Sequence, residues 1–203
     1  VYICKPQVYM KNITDNEMIF VLTLFRSPEI HYNASSISKL IGISRMGALK
    51  IARKLEKENI IIPKEFGKAK FYSLNLESDY VRQYIKFLLR REVETASPYI
   101  KVWISEIKKI KNADSAILFG SVLKKQKEAK DIDVMFITDQ KRFSRLKEDL
   151  NNIASLNIKK IHPIYQTKSD FIKNIKNSDK VVLNAVKGII IFGEEIIIDL
   201  FRK

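Results

Sequence analysis

Ala116 to Thr138 reads AILFGSVLKKQKEAKDIDVMFIT, and the order of its parts decides the fold of the C-terminal half. Ser115-Ala116-Ile117-Leu118-Phe119 predicts a buried strand, and Gly120-Ser121 follows at once. Nine residues on, Asp131-Ile132-Asp133 runs into the apolar Val134-Met135-Phe136-Ile137, a second strand. Acids at alternate strand positions point to one face, while Ile132 and Val134 turn to the core. Two carboxylates so close repel each other unless a cation lies between them. Magnesium favours such oxygen ligands and completes its shell with water and substrate phosphates. Gly120 lets the backbone approach a ligand closely, and Ser121 can open a helix whose free N–H groups accept phosphate. Together these parts have the chemistry of a metal–triphosphate site.

The sequence apolar strand, Gly-Ser, nine residues, Asp-x-Asp, apolar strand resembles the nucleotidyltransferase superfamily in its minimal, polymerase-beta-like form. The resemblance covers about residues 113–193, including an expected helix at 179–187, a strand at 188–192 and a closing Gly193-Glu194-Glu195 whose acids are expected to face solvent. It implies that Asp131 and Asp133 are catalytic and hold magnesium, and that Gly120 and Ser121 hold the β- and γ-phosphates of a nucleoside triphosphate, ATP first among them. An acceptor hydroxyl would attack the α-phosphate, with pyrophosphate leaving. Lys124 or Lys125 could neutralise phosphate charge, although solvated helix surface is the simpler role. The family pattern includes a third carboxylate on a following strand. Here that strand, IKKIHPIYQT from Ile158 to Thr167, holds no acid. Asp149 falls in the helix before it and Asp170 in the helix after it, leaving His162 and Gln166 as the polar substitutes, either of which could orient an acceptor.

The N-terminal half reads helix (about Asn16 to Arg26), short helix (Ser35 or Ser36 to Ile41), Gly42, and a third helix from Arg45 to Glu58 capped by Ser44. Ala48, Ile51, Ala52 and Leu55 give that third helix one buried face. Asn59 stands where a left-handed cap is wanted. Two strand-like runs, Ile60 to Ile62 and Lys70 to Leu74, flank a hairpin tip at Lys64 to Lys68. This order resembles the winged-helix DNA-binding domains of MarR- and ArsR-type regulators. By that resemblance the third helix enters the major groove. Arg45 and Met46 would then read bases, Lys50 and Arg53 would meet phosphates, and Lys64, Lys68 and Lys70 would grip the backbone from the wing. A helix from Asp79 to Glu94 either joins the halves or packs as a dimer helix. Another, from Val102 to Ile110, opens the second half with Trp103 as a core or interdomain anchor.

The expected fold class is α+β: a winged helix-turn-helix with its linker or dimer helix at residues 1–95, then a small nucleotidyltransferase-like α/β domain with a mixed sheet at 96–203. The 203 residues carry 37 Lys and Arg against 23 Asp and Glu, a net charge of +14. Residues 44–70 alone contribute +5 of it, with 8 basic and 3 acidic side chains. A balance of this kind favours a polyanionic partner, because each neutralised phosphate releases counterions. No apolar run approaches the roughly 18 residues that cross a bilayer, and the N-terminus shows no apolar stretch of signal-peptide length. The expectation is a cytoplasmic protein without membrane attachment, with Met10 a candidate natural start. The single cysteine, Cys4, excludes a disulfide framework and a Cys-rich zinc site, and no Walker-type loop is present. Three functions follow. The favoured one is a transcription regulator on double-stranded DNA, expected as a homodimer, whose second domain binds magnesium and a nucleoside triphosphate. Another is an active transferase of AMP or another nucleotide to a protein or nucleic acid. The third is an antitoxin-like protein with a small toxin as its protein partner.

Overall fold

The computed structural model describes residues 13–156 and 159–202, with Leu156 as backbone alone; Cys4 and Met10 lie outside them. Helix α1 (Asp15–Arg26) starts on a reciprocal cap: Thr14 Oγ1 accepts from Glu17 N, and Glu17 Oε2 accepts from Thr14 N. A two-residue strand β1 (Tyr32–Asn33) follows. Helix α2 (Ala34–Ile41) is capped by Asn33, earlier than the serines the sequence favoured, because Asn33 Oδ1 takes both the Ser35 and Ser36 amides. Helix α3 (Arg45–Lys57) starts on Ser44 as expected and ends where Asn59 adopts φ 57°. Strands β2 (Ile61–Phe66) and β3 (Ala69–Leu74) form the wing, longer than the apolar runs suggested because ladder pairing extends to Phe66↔Ala69. The sheet order is β1-β3-β2, all antiparallel. This is a winged helix-turn-helix.

Helix α4 (Asp79–Thr95) buries Val81, Ile85, Leu88, Leu89 and Val93. It packs on α1, then on a strand at Ile189–Phe192 and a helix at Glu194–Arg202 of the second half. The apolar stripe expected to serve either a joint or a second copy is therefore covered within the chain. Helix α5 (Pro98–Ile107) begins earlier than the sequence suggested, since Ser97 caps it and Pro98 fits the first turn. Trp103 is buried in it.

The second sheet contains β4 (Ser115–Phe119), β5 (Ile132–Ile137), β6 (Ile161–Gln166) and β7 (Ile189–Phe192), in the order β6-β5-β4-β7. β5 and β6 are parallel and the other pairs antiparallel, so the sheet is mixed. Between β4 and β5 lie the four-residue helix α6 (Val122–Lys125) and a 3₁₀ turn at Gln126–Glu128. Helix α7 (Phe143–Leu156) joins β5 to β6, and α8 (Lys168–Lys176) and α9 (Lys180–Val186) join β6 to β7. A last helix, α10 (Glu194–Arg202), stands where the sequence offered only two solvent-facing acids. Glu194 is mostly covered and pairs with Arg90, and Glu195 pairs with Lys86. Each sheet carries a proline on an edge strand, Pro63 on β2 and Pro163 on β6.

The faces of the second sheet belong to two cores. Ala116, Leu118, Val134 and Phe136 pack against α5 and α7 through Trp103, Ile107, Leu146 and Leu150. Ile117, Phe119, Met135 and Ile190 pack on the other side in a cluster that runs through Phe171 and Ile197 to Ile85, Phe20 and Phe25 of the winged helix. Ring contacts mark that route, with Phe25 to Phe201 at 5.1 Å and Phe201 to Phe171 at 5.9 Å.

Candidate functional site

Antiparallel pairing of β4 with β5 puts Phe119 opposite Asp133, so the turn leaving β4 lies beside the acid motif. Gly120 has φ +80°, and a Cβ built on it would meet Asp133 Oδ2 at 2.1 Å. The left-handed backbone strains any other residue there, and a side chain would also press on the Asp133 carboxylate. Asp133 lies on β5 itself, and Asp131 sits one residue before the strand opens. Both are half-buried. Asp131 makes no hydrogen bond or ion pair among the described residues. The Ser121 hydroxyl is likewise uncommitted, and the helix it opens is a single short turn rather than a full helix with an extended anion-binding end. Lys124 and Lys125 are exposed on that turn.

The parallel register pairs Asp133 with His162 on β6. His162 Nδ1 lies 3.0 Å from Asp133 Oδ1, and the imidazole is largely exposed. The sequence alone offers His162 as a group that could orient an acceptor; pairing makes it the direct neighbour of the second acid. Gln166 stands four residues further along β6, where its Oε1 accepts from Asn174 Nδ2 at 2.9 Å, away from the motif. Asp149 bonds to Lys111 N and Asn112 Nδ2, and Asp170 bonds to Thr167, so neither acid joins the pair. Among the described residues no group of three or more His, Cys, Asp and Glu is placed to hold a metal. Two carboxylates are the donor type that a hard divalent cation takes alongside water and phosphate. A second metal finds no third carboxylate.

The third helix of the winged domain presents Arg45, Met46, Lys50 and Arg53 to solvent, with Met46 68% exposed. Ala48, Ala52 and Leu55 are buried behind them, and Ile51 is half-buried. Lys64 and Lys68 are exposed on the wing, and the Lys64 ammonium lies 5.0 Å over the Phe66 ring. Two nearby cations are committed elsewhere. Lys54 pairs with Glu17 at 2.6 Å and Lys70 with Glu56 at 3.2 Å. The Lys70 pair braces the wing against α3, so that residue is less available to a phosphate than its neighbours.

Beyond the acid motif, Arg142 donates to Asp139 at 2.8 Å and to Asp114 at 2.8 Å. The Arg142 side-chain hydrogen bond holds the Asp139 carboxyl below the usual carboxylate range. Among the described residues no helix is long and apolar enough to cross a membrane.

Residues 103–194 match the family described as Polymerase beta, Nucleotidyltransferase. No curated protein is matched by the chain. Among solved structures, the chain is similar to the adhesin competence repressor AdcR from Streptococcus pyogenes, with 13% identity and a TM-score of 0.36, covering 49% of this chain and 69% of that one. It is also similar to a cysteine-to-serine mutant of ZitR from Lactococcus lactis, with 14% identity and a TM-score of 0.30, covering 54% of this chain and 79% of that one. The C-terminal half thus carries a nucleotidyltransferase-like domain.

Proposed function

We propose that this chain is a DNA-binding transcription regulator whose nucleotidyltransferase-like domain binds a magnesium–nucleoside triphosphate, with ATP the first candidate. The observation that carries the reading is the seating of Asp133 on the side-chain-free face of Gly120, with Asp131 uncommitted beside it. That arrangement keeps one carboxylate against the Gly120 backbone and the other free, and such a pair is the donor set magnesium takes together with water and phosphate oxygens. Bound magnesium would neutralise phosphate charge, and Ser121 would donate its hydroxyl to a phosphate oxygen. The exposed Arg45, Lys50 and Arg53 on α3, with Lys64 and Lys68 on the wing, support the DNA half of the reading.

Titration calorimetry of ATP with and without magnesium, on the wild type and on Asp131→Asn/Asp133→Asn, tests the nucleotide half. Magnesium-dependent heat in the wild type and its loss in the double variant are expected. Equal binding by both proteins would sink the assignment. A second reading, active nucleotidyl transfer, draws on the hydrogen-bonded His162–Asp133 pair, an exposed imidazole beside the acid motif that could orient an acceptor hydroxyl. Transfer of label from α-labelled ATP to a protein or nucleic acid distinguishes it from binding alone.

A further inference from the structure

A crevice opens at the far end of the second sheet, away from Gly120 and Asp131. β5 and β6 run parallel, and the chain leaves their carboxyl ends in opposite directions. After β5 it enters α7, whose Leu146, Leu150 and Ile153 join the core on the Phe136 face. After β6 it enters α8, whose Phe171 joins the core on the Met135 face. Neighbouring parallel strands whose connections depart to opposite faces leave their ends uncovered, and open α/β sheets bind ligands at such points. Here the opening is a cavity of about 320 Å³ bounded by Thr138, Asp139, Phe143, Tyr165, Gln166 and Asp170. Its volume is at the lower end of the range for small-molecule sites.

One wall is aromatic. The Phe143 and Tyr165 rings meet edge to face with centroids 4.8 Å apart, both are only partly buried, and the Lys147 ammonium lies 4.5 Å over the Phe143 ring. Four polar groups in the lining have unused capacity, among them the side-chain amide of Gln140, which makes no hydrogen bond among the described residues. Gln166 Oε1 accepts from Asn174, leaving the amide NH₂ as a donor. Asp170 Oδ2 accepts from Thr167 at 2.7 Å, leaving Oδ1 as a charged acceptor. The Tyr165 hydroxyl makes no hydrogen bond among the described residues, and burial pushes its pKa up, so it stays a donor. Asp139, by contrast, is engaged by Arg142 through both oxygens.

A ligand suited to this lining has a flat ring for the aromatic wall, N–H donors for Asp170 and a neighbouring carbonyl for Gln166 or Tyr165. A guanine-type base offers such an edge. Phosphate is disfavoured because Asp139 and Asp170 both line the cavity. We propose that this crevice binds a guanine-type nucleoside, at a site separate from the one at Gly120 and Asp133 and independent of it.

Calorimetric titration of guanosine, with adenosine and cytidine alongside, tests the proposal on the full chain and on Asp170→Asn, Phe143→Leu and Asp131→Asn/Asp133→Asn. Guanosine carries no phosphate and so gives the Gly120 site no handle. Guanosine is expected to bind more tightly than the other two. Asp170→Asn should weaken it roughly tenfold, the effect of one charge-assisted hydrogen bond, Phe143→Leu should weaken it as well, and the double aspartate variant should bind as the wild type does. Circular dichroism melts establish that each variant is folded. No guanosine heat from the wild type at millimolar ligand would overturn the proposal. So would unchanged affinity in both Asp170→Asn and Phe143→Leu, or loss of binding in the double aspartate variant. Failure of ATP binding speaks only to the Gly120 site.

Discussion

Gly120 and Asp133 hold each other in place, and the cost of disturbing them can be separated into two parts. Gly120→Ala forces an L-residue into left-handed backbone, worth roughly 1–2 kcal/mol, and also drives a methyl into the Asp133 carboxylate. Gly67, at the tip of the wing, has φ +59° but nothing within 4 Å of its would-be Cβ. Gly67→Ala should therefore lose only the backbone part. Urea unfolding is expected to show a larger drop for Gly120→Ala, accompanied by loss of magnesium–ATP heat that Gly67→Ala retains. Equal drops would mean that the carboxylate contact contributes nothing. The acids and the glycine are legible in the sequence because they stand at the ends of two apolar strand runs joined by a short connection. The proximity of His162 to Asp133 is not, because it depends on the register of two strands separated by a whole helix. No local pattern encodes that register.

Helices and strands are legible to the extent that their ends are locally encoded. Ser44 and Asn59 mark both limits of α3, and Pro98 with Ser97 marks the start of α5 once the cap is weighed against the apolar pattern. α10 escapes a sequence reading because Ile196-Ile197-Ile198 suits a strand as readily as a helix. Packing on α4 and α8 and the Glu194–Arg90 pair decide for helix. Within the winged domain, charge commitment separates cations that look alike in sequence. Arg45→Ala/Lys50→Ala removes two uncommitted cations of α3, so the salt dependence of DNA affinity should shallow by roughly 0.9 for each phosphate no longer neutralised. Lys70→Ala removes a cation already paired with Glu56 and should leave that slope nearly unchanged. Gel-shift titrations across a salt series measure both. An unaltered slope for the double variant would refute docking through α3.

Across the whole molecule, the expected boundary at residues 95 and 96 falls where α4 gives way to α5, yet buried side chains from both sides share one cluster. Phe171 belongs to it, fully buried and stacked on Phe201, which in turn meets Phe25 of α1. Unfolding is therefore expected to be one cooperative event. Trp103 fluorescence and far-ultraviolet circular dichroism should trace the same urea transition. Phe171→Ala should shift both traces together by roughly 3–5 kcal/mol. Two separated transitions would mean that the halves fold independently. The edge prolines have a different consequence. A sheet's outer strand is a template onto which another chain can add, and proline deletes the donor such an addition needs. Because Pro63 and Pro163 interrupt β2 and β6 at one border of each sheet, the fold carries its own defence against runaway strand-to-strand growth, a safeguard against fibre formation.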